Sequence, residues 1–221
     1  MISSELAYTD IKARIARIAP GRSIDLVAVS KTRSADEIRK LAAFGQRQFG
    51  ENYVQEALSK QKELIDLDLE WHFIGPLQSN KCRDVALHFD WLQSLDREKL
   101  IEPLSRHRQG HEKPLMVLIE VNIDAALGKS GCAPEAVSAL AQQISAASHL
   151  RLRGLMAIPE PHPKLDQRRT GFRRMSELFR QLQAAYPEVD TLSMGMSEDF
   201  ETAIEEGASM VRIGTALFGP R

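Results

Sequence analysis

The feature that most constrains this chain is an alternation repeated eight times, in which short runs rich in Val, Ile, Leu and Phe are separated by longer amphipathic segments. The runs are DLVAVS at 25–30, QRQFG at 46–50, WHFIG at 71–75, WLQSL at 91–95, PLMVLIEVNI at 114–123, LRGLMAI at 152–158, TLSMGM at 191–196 and SMVRIG at 209–214. Apolar runs of this kind, alternating with helical segments, are the pattern of βα units around a parallel sheet. Helices are predicted over 34–45, 52–64, 80–89, 96–107, 134–147, 165–187 and 199–207. The first of these has Ser34 and Glu37 in capping-box register, with Gly45 as its stop. Eight units predict a (β/α)₈ barrel spanning 1–221 as one domain, at the small end for that fold. An open doubly wound sheet has the same alternation and is the alternative.

The C-terminus bears on the choice. After Gly214 only TALFGPR remains, too little for a substantial eighth outer helix. Leu6, Ile11, Ile15 and Ile18 recur at helical spacing, so a helix over 5–19 is expected to complete the outer ring. Pro-rich IPEPHPK at 158–164 reads as an extended loop.

Composition removes several classes of function. With 29 basic against 30 acidic residues the formal charge is −1, so no overall field holds the chain to nucleic acid or an anionic membrane. The arginine pairs at 168–169 and 173–174 read as a solvated helix face or a local anion site. Two cysteines, Cys82 and Cys132, provide neither a disulfide framework nor zinc-ligand spacing. His107 and His111 are four apart, but Gly110 interrupts them, so no metal site is expected. The N-terminus lacks the continuous apolar region of a secretory signal. LMVLIEV at 115–121 is far short of the ~20 residues needed to span a bilayer. A cytoplasmic protein is the expectation.

In such a barrel, chemistry gathers where the strands end. Lys31 follows the first run. A lysine in that place is ordinarily a solvated chain-end residue. In MGMSEDFETA, Ser197 reads as the cap of a helix whose first N–H groups are unpaired, and in VRIGTALFG, Gly214 admits close backbone approach while Thr215 adds a hydroxyl. The loops after strands seven and eight are the usual phosphate position. A lysine facing a phosphate cradle is arranged to form a Schiff base with a phosphorylated aldehyde or sugar. At the ordinary lysine pKa of ~10.4, about one amine in a few thousand is neutral at pH 7, so burial or a neighbouring cation would help it react. Arg212 shares strand parity with Gly214 and is expected inside the barrel. It either pairs with an interior carboxylate or, were the ligand pyridoxal phosphate, donates to the pyridine nitrogen and keeps it unprotonated.

The blocks VAVSK, FGENYVQEA, WHFIGPLQSNK, VNIDAALGKSG, GLMAIP, LSMGMSEDFETAI and VRIGTALFG resemble, in order and across nearly the whole chain, the pyridoxal-phosphate homeostasis protein family. That family shares its fold with the N-terminal barrel of alanine racemase. The resemblance implies that Lys31 carries pyridoxal 5′-phosphate as an internal aldimine and that Asn52 lines the cofactor ring. It further implies that Ser197, Gly214 and Thr215 hold the phosphate, that Met196 packs nearby and that Arg212 meets the pyridine nitrogen. It implies storage or delivery of the cofactor, with apo-enzymes as recipients, rather than an established reaction.

Roles for His72, Lys81 and Lys129 are less defined. His72 reads as a pocket residue or a hydrogen-bonded core histidine. Lys81 and Lys129 read as surface residues or phosphate attractors, and Lys129 also as a second amine for cofactor hand-off. An amino-acid racemase would need a second acid-base group opposite the lysine. In alanine racemase that group is a tyrosine from a second domain. The tyrosines here are Tyr8, Tyr53 and Tyr186, none beyond the last strand, and the missing domain leads to the expectation of a carrier and of a monomer. A Schiff-base aldolase would use Lys31 and the cradle but gives Arg212 and Asn52 no task.

Overall fold

The computed structural model describes residues 4–160 and 165–220. Eight strands, β1 (Asp25–Val29), β2 (Gln48–Glu51), β3 (Glu70–Phe73), β4 (Trp91–Leu95), β5 (Leu115–Glu120), β6 (Leu150–Met156), β7 (Thr191–Ser193) and β8 (Met210–Ile213), pair in sequence order. β8 returns to β1 in parallel register from Asp25↔Met210 to Ala28↔Ile213, which closes the barrel and excludes the open sheet.

Strand alternation explains why the runs are apolar throughout. On β1, Leu26 and Ala28 face outward into the main core with Phe49, Phe73, Ile38, Leu41 and Val85. Val27 faces inward with Trp91, Leu118, Met156 and Met210. Both faces are buried, so neither tolerates a polar residue without a partner. Arg212 is the register partner of Val27 and lies inside the barrel, as its parity predicts.

The outer ring is α1 (Ser4–Ile18), α2 (Ala35–Ala43), α3 (Val54–Glu63), α4 (Cys82–His88), α5 (Ile101–Arg108), α6 (Val137–Ala146), α7 (Leu165–Ala185), α8 (Phe200–Glu205) and α9 (Thr215–Phe218). The Ser34 and Glu37 capping box is present, and Gly45 follows α2 at φ +101°. Among the described residues only the four-residue α9 follows β8, and α1 packs on α8 and α9 to fill the gap. Arg14 fastens this junction by donating to Glu201 at 2.9 Å and stacking over Phe200.

Some boundaries differ from the sequence expectations. The segments at 80–89, 96–107 and 134–147 each begin with a single 3₁₀ turn, at Ser79–Lys81, Glu98–Leu100 and Pro134–Ala136. In the second, Pro103 fits the first turn of α5 because its missing N–H would have no intrahelical partner there. His111 lies beyond the end of α5, so His107 and His111 do not share a helix face. The described residues contain no group of three or more metal-ligating side chains.

Arg169 and Arg173 of the α7 arginine pairs serve packing. Arg169 pairs with Glu205 and Glu206, and Arg173 with Glu206, which ties α7 to α8. The side chain of Arg168 and residues 161–164 of the expected loop lie outside the described residues. Both cysteines are free thiols. Among the described residues no helix is long and apolar enough to cross a membrane.

Candidate functional site

The ends of β1, β7 and β8 and their following loops enclose a cavity of about 330 Å³. Lys31, Met196, Ser197, Arg212, Gly214 and Thr215 all line it. A larger groove of about 750 Å³ runs along α7 beside Glu205 and Glu206; Arg173, Arg174 and Arg180 line it, Arg173 paired with Glu206 and Arg180 with Glu177, and none of the candidate cofactor residues lies in it.

The backbone on each side of Lys31 is clamped from α3. Lys60 Nζ donates to the Ser30 carbonyl at 2.8 Å, and Glu56 Oε1 accepts the Thr32 N–H at 2.5 Å. Thr32 has φ +63°, a left-handed conformation unusual for a β-branched residue. Lys60 also donates to Glu51 at 2.7 Å and Glu56 at 2.6 Å, and Ser30 Oγ donates to Glu51 at 2.6 Å. Burial pushes the Glu51 carboxyl upward against these bonds to Lys60 and Ser30. The turn that presents Lys31 thus rests on a buried ion cluster.

The opposite wall joins the β7 and β8 loops. Gly195, at φ +94°, makes the turn out of β7; a Cβ there would come within 2.5 Å of Ala203 Cβ on α8. Ser197 is not the cap of α8, contrary to expectation. Asp199 takes that position and closes the preceding turn by accepting the Met196 N–H at 2.7 Å. Ser197 Oγ instead accepts the Ala216 N–H at 3.3 Å, bridging to the start of α9. At Gly214 a Cβ would sit 3.3 Å from the Val29 carbonyl oxygen, so β8 meets the end of β1 closely there.

Arg212 forms the inner wall. Its Nη1 donates to Ser193 Oγ at 2.6 Å and its Nη2 to the Ala157 carbonyl at 3.0 Å. Burial pulls its pKa down to about 10, opposed by Glu120 and Asp199, which leaves the guanidinium charged at neutral pH. Glu120, at the end of β5, is pushed up to about 7 by burial and by Asp96, with Arg212 acting in the other direction.

The remaining candidates are placed differently. Asn52 follows β2 but does not line the cavity; its Oδ1 is buried without a hydrogen-bond partner among the described residues. His72 is a core histidine between Glu70 and Gln93, at 3.0 and 2.9 Å. Lys81 ends the 3₁₀ turn after β3, outside the cavity lining. Lys129 crosses to the β6 loop, with Nζ 3.4 Å from the Ile158 carbonyl and 3.7 Å from Glu160.

Sequence reasoning missed Arg33, which lines the cavity and donates to the Gly219 carbonyl. It also missed Lys60 and Glu56, whose i, i+4 spacing looks like an ordinary exposed helix pair. A signal did exist for Glu51, a carboxylate directly ending a buried run.

The fold and the cavity define a barrel of the alanine racemase type. Residues 10–221 match the family model for the alanine racemase N-terminal domain. The chain belongs to the pyridoxal phosphate homeostasis protein family. It is 51% identical to the protein of that name from Pseudomonas aeruginosa, over all of this chain and 96% of the relative. PipY of Synechococcus elongatus superposes with a TM-score of 0.90 without pyridoxal phosphate and 0.88 with it bound, at 36% and 37% identity. Each comparison covers 98% of this chain and all of PipY. Alanine racemase from Corynebacterium glutamicum shares the fold at TM-score 0.66 and 20% identity, over 96% of this chain and 60% of the racemase.

Proposed function

We propose that this protein binds pyridoxal 5′-phosphate at the barrel mouth and serves cofactor homeostasis by storing or delivering it. The observation that carries the reading is the cavity that brings Lys31, Arg212, Ser197, Gly214 and Thr215 together. The donor set fits the ligand: one amine for an aldehyde, hydroxyls and backbone amides for a phosphate, and a buried guanidinium for a ring nitrogen. When bound, the cofactor supplies an electrophilic aldehyde and an electron-withdrawing ring. Lys31 is its covalent anchor. Ser197, Gly214 and Thr215 hold the phosphate beside Met196, with Arg33 adding positive charge. Arg212 offers hydrogen to the ring nitrogen and, remaining charged, leaves that nitrogen without a proton of its own. Asn52, which follows β2 outside the cavity lining, is assigned no contact with the ring. The relatives' name and the PipY complex with pyridoxal phosphate support the ligand.

A carrier role fits the lining better than catalysis. Racemization needs acid-base groups on both faces of a carbon. Lys31 is the one lysine among the described lining residues, which include no tyrosine or histidine, and the lining carboxylates, Glu198 and Asp199, lie on the turn after β7 beside Ser197. The reading extends to a cytoplasmic monomer that hands its cofactor to apo-enzymes.

Loading with pyridoxal phosphate, borohydride reduction and peptide mass spectrometry test the site. The adduct is expected on Lys31; an adduct elsewhere, or none, removes the assignment. Sustained α-proton exchange on L- or D-amino acids would favour an enzyme instead.

A further inference from the structure

A continuous line of hydrogen bonds crosses the barrel interior behind Arg212. Arg212 Nη1 donates to Ser193 Oγ at 2.6 Å, and Ser193 Oγ donates to Gln93 Oε1 at 2.7 Å. Gln93 Nε2 donates to His72 Nδ1 at 2.9 Å, and His72 Nε2 donates to Glu70 Oε1 at 3.0 Å. Ser193, Gln93 and His72 are fully buried. Glu70 begins β3, at the end of the barrel opposite the cavity, and its side chain reaches solvent.

Donor counting, together with the orientation of the Gln93 amide, sets the direction of the line. Arginine has no acceptor, so Ser193 must accept from Arg212. Gln93 turns its oxygen toward Ser193 and its NH₂ toward His72, so the single serine hydrogen goes to Gln93. His72 Nδ1 must therefore be bare, and the ring carries its hydrogen on Nε2, facing Glu70. The opposite tautomer would set two donors against each other. A second contact from Gln93 Nε2 to Met210 Sδ, at 3.2 Å, agrees with the same amide orientation. The ring plane is held by stacking on Trp91, with centroids 5.3 Å apart and planes 11° from parallel.

We infer that Gln93 is a positioning residue for Arg212: by taking the Ser193 hydrogen it leaves the serine lone pair that holds the guanidinium at the ring-nitrogen side of the cavity. His72 and Glu70 set the direction from the far end. The inference rests on the pyridoxal phosphate reading for its consequence but not for its geometry.

The experiment has a ligand-free arm and a loaded arm, on wild type, Gln93→Met and Gln93→Glu. Met keeps the volume and removes both bonds. Glu still accepts from Ser193 and requires a hydrogen on His72 Nδ1. In ligand-free wild type, side-chain ¹⁵N spectra should show His72 protonated at Nε2 and bare at Nδ1; the reverse overturns the inference whatever the variants do. Rotation of the Arg212 guanidinium should quicken about fivefold in Gln93→Met, the scale of one neutral hydrogen bond. It should return toward wild type in Gln93→Glu, where His72 Nδ1 gains its hydrogen. Unchanged rotation in a folded Gln93→Met overturns it too. In the loaded arm, the bound cofactor's absorption maximum should move and its release quicken in Gln93→Met, with recovery in Gln93→Glu. Wild type that takes no adduct at Lys31 defeats the pyridoxal phosphate reading, while the ligand-free arm still decides the role of Gln93.

Discussion

Lys60 Nζ lies 2.7 Å from Glu51 Oε1, with Lys60 almost fully buried and Glu51 completely so, beneath the turn that presents Lys31. Glu51 is also bonded by Ser30, while its other oxygen is buried without a partner among the described residues. A buried pair of this kind stabilises little in itself but is costly to break from one side, because the remaining charge stays in a low-dielectric interior.

Lys60→Met is therefore expected to destabilise the protein by about 3–5 kcal/mol. Adding Glu51→Gln should recover much of that loss, since the amide oxygen still accepts from Ser30 and no charge is stranded. Urea denaturation of the two single variants and the double variant measures the coupling. Additive effects would mean that the two side chains do not act as a pair.

Thr32→Gly tests whether the Lys31 turn is strained. A β-branched residue at φ +63° costs roughly 1–2 kcal/mol, and glycine relieves that at the expense of a more flexible unfolded chain. A net gain of about 1 kcal/mol is expected in thermal or chemical unfolding, with a lower yield of borohydride-trapped cofactor on Lys31 as the turn loosens. Lower stability in the variant would show that the turn is not strained.

The barrel was legible in the sequence because each strand is buried on both faces and leaves a short apolar run that a helix interrupts. Lys31, Arg212 and Gly214 were legible for a related reason, since strand parity decides which residues turn inward where a strand ends. Ser197 was misread as a cap because Ser and Asp both favour that position, and only the turn geometry shows Asp199 there. The Lys60–Glu51 pair could not be read, because it joins α3 to β2 and the lysine fits the polar face of an amphipathic helix. Gln93 gave a fainter signal as an amide within a five-residue strand buried throughout.

Glu120 predicts a specific pH dependence. Its ordinary value of 4.5 is raised to about 7 in the folded protein, so folding takes up a proton between those values. The stability this contributes is fully present below pH 4.5 and is lost as pH rises through about 7. The span corresponds to about 3 kcal/mol, with the opposing effect of Arg212 already included. Glu120→Gln should flatten this part of the stability curve and be the more stable protein at pH 8, where the wild type carries a buried carboxylate. Parallel curves for the two proteins from pH 5 to 8 would place the proton uptake on another group.

A role for Lys129 as a second amine in cofactor hand-off is a further expectation to test. Its amine spans from the β5 loop to the β6 loop, meeting the Ile158 carbonyl beside Pro159, which lines the cavity. Glu160 pairs with it at 3.7 Å, and the half-buried stem leaves the head within reach of solvent. An amine at that rim can receive the aldehyde as Lys31 releases it, whereas a purely surface lysine would have no bearing on release. Lys129→Ala is thus expected to load at Lys31 as wild type does, yet to pass its cofactor to an apo-enzyme about tenfold more slowly, the effect of losing one charge-assisted contact. Transfer is read as recovered activity of the recipient, and loading as borohydride-trapped peptide. Equal transfer rates would remove Lys129 from the route; slow transfer with poor loading would instead place it in the binding site.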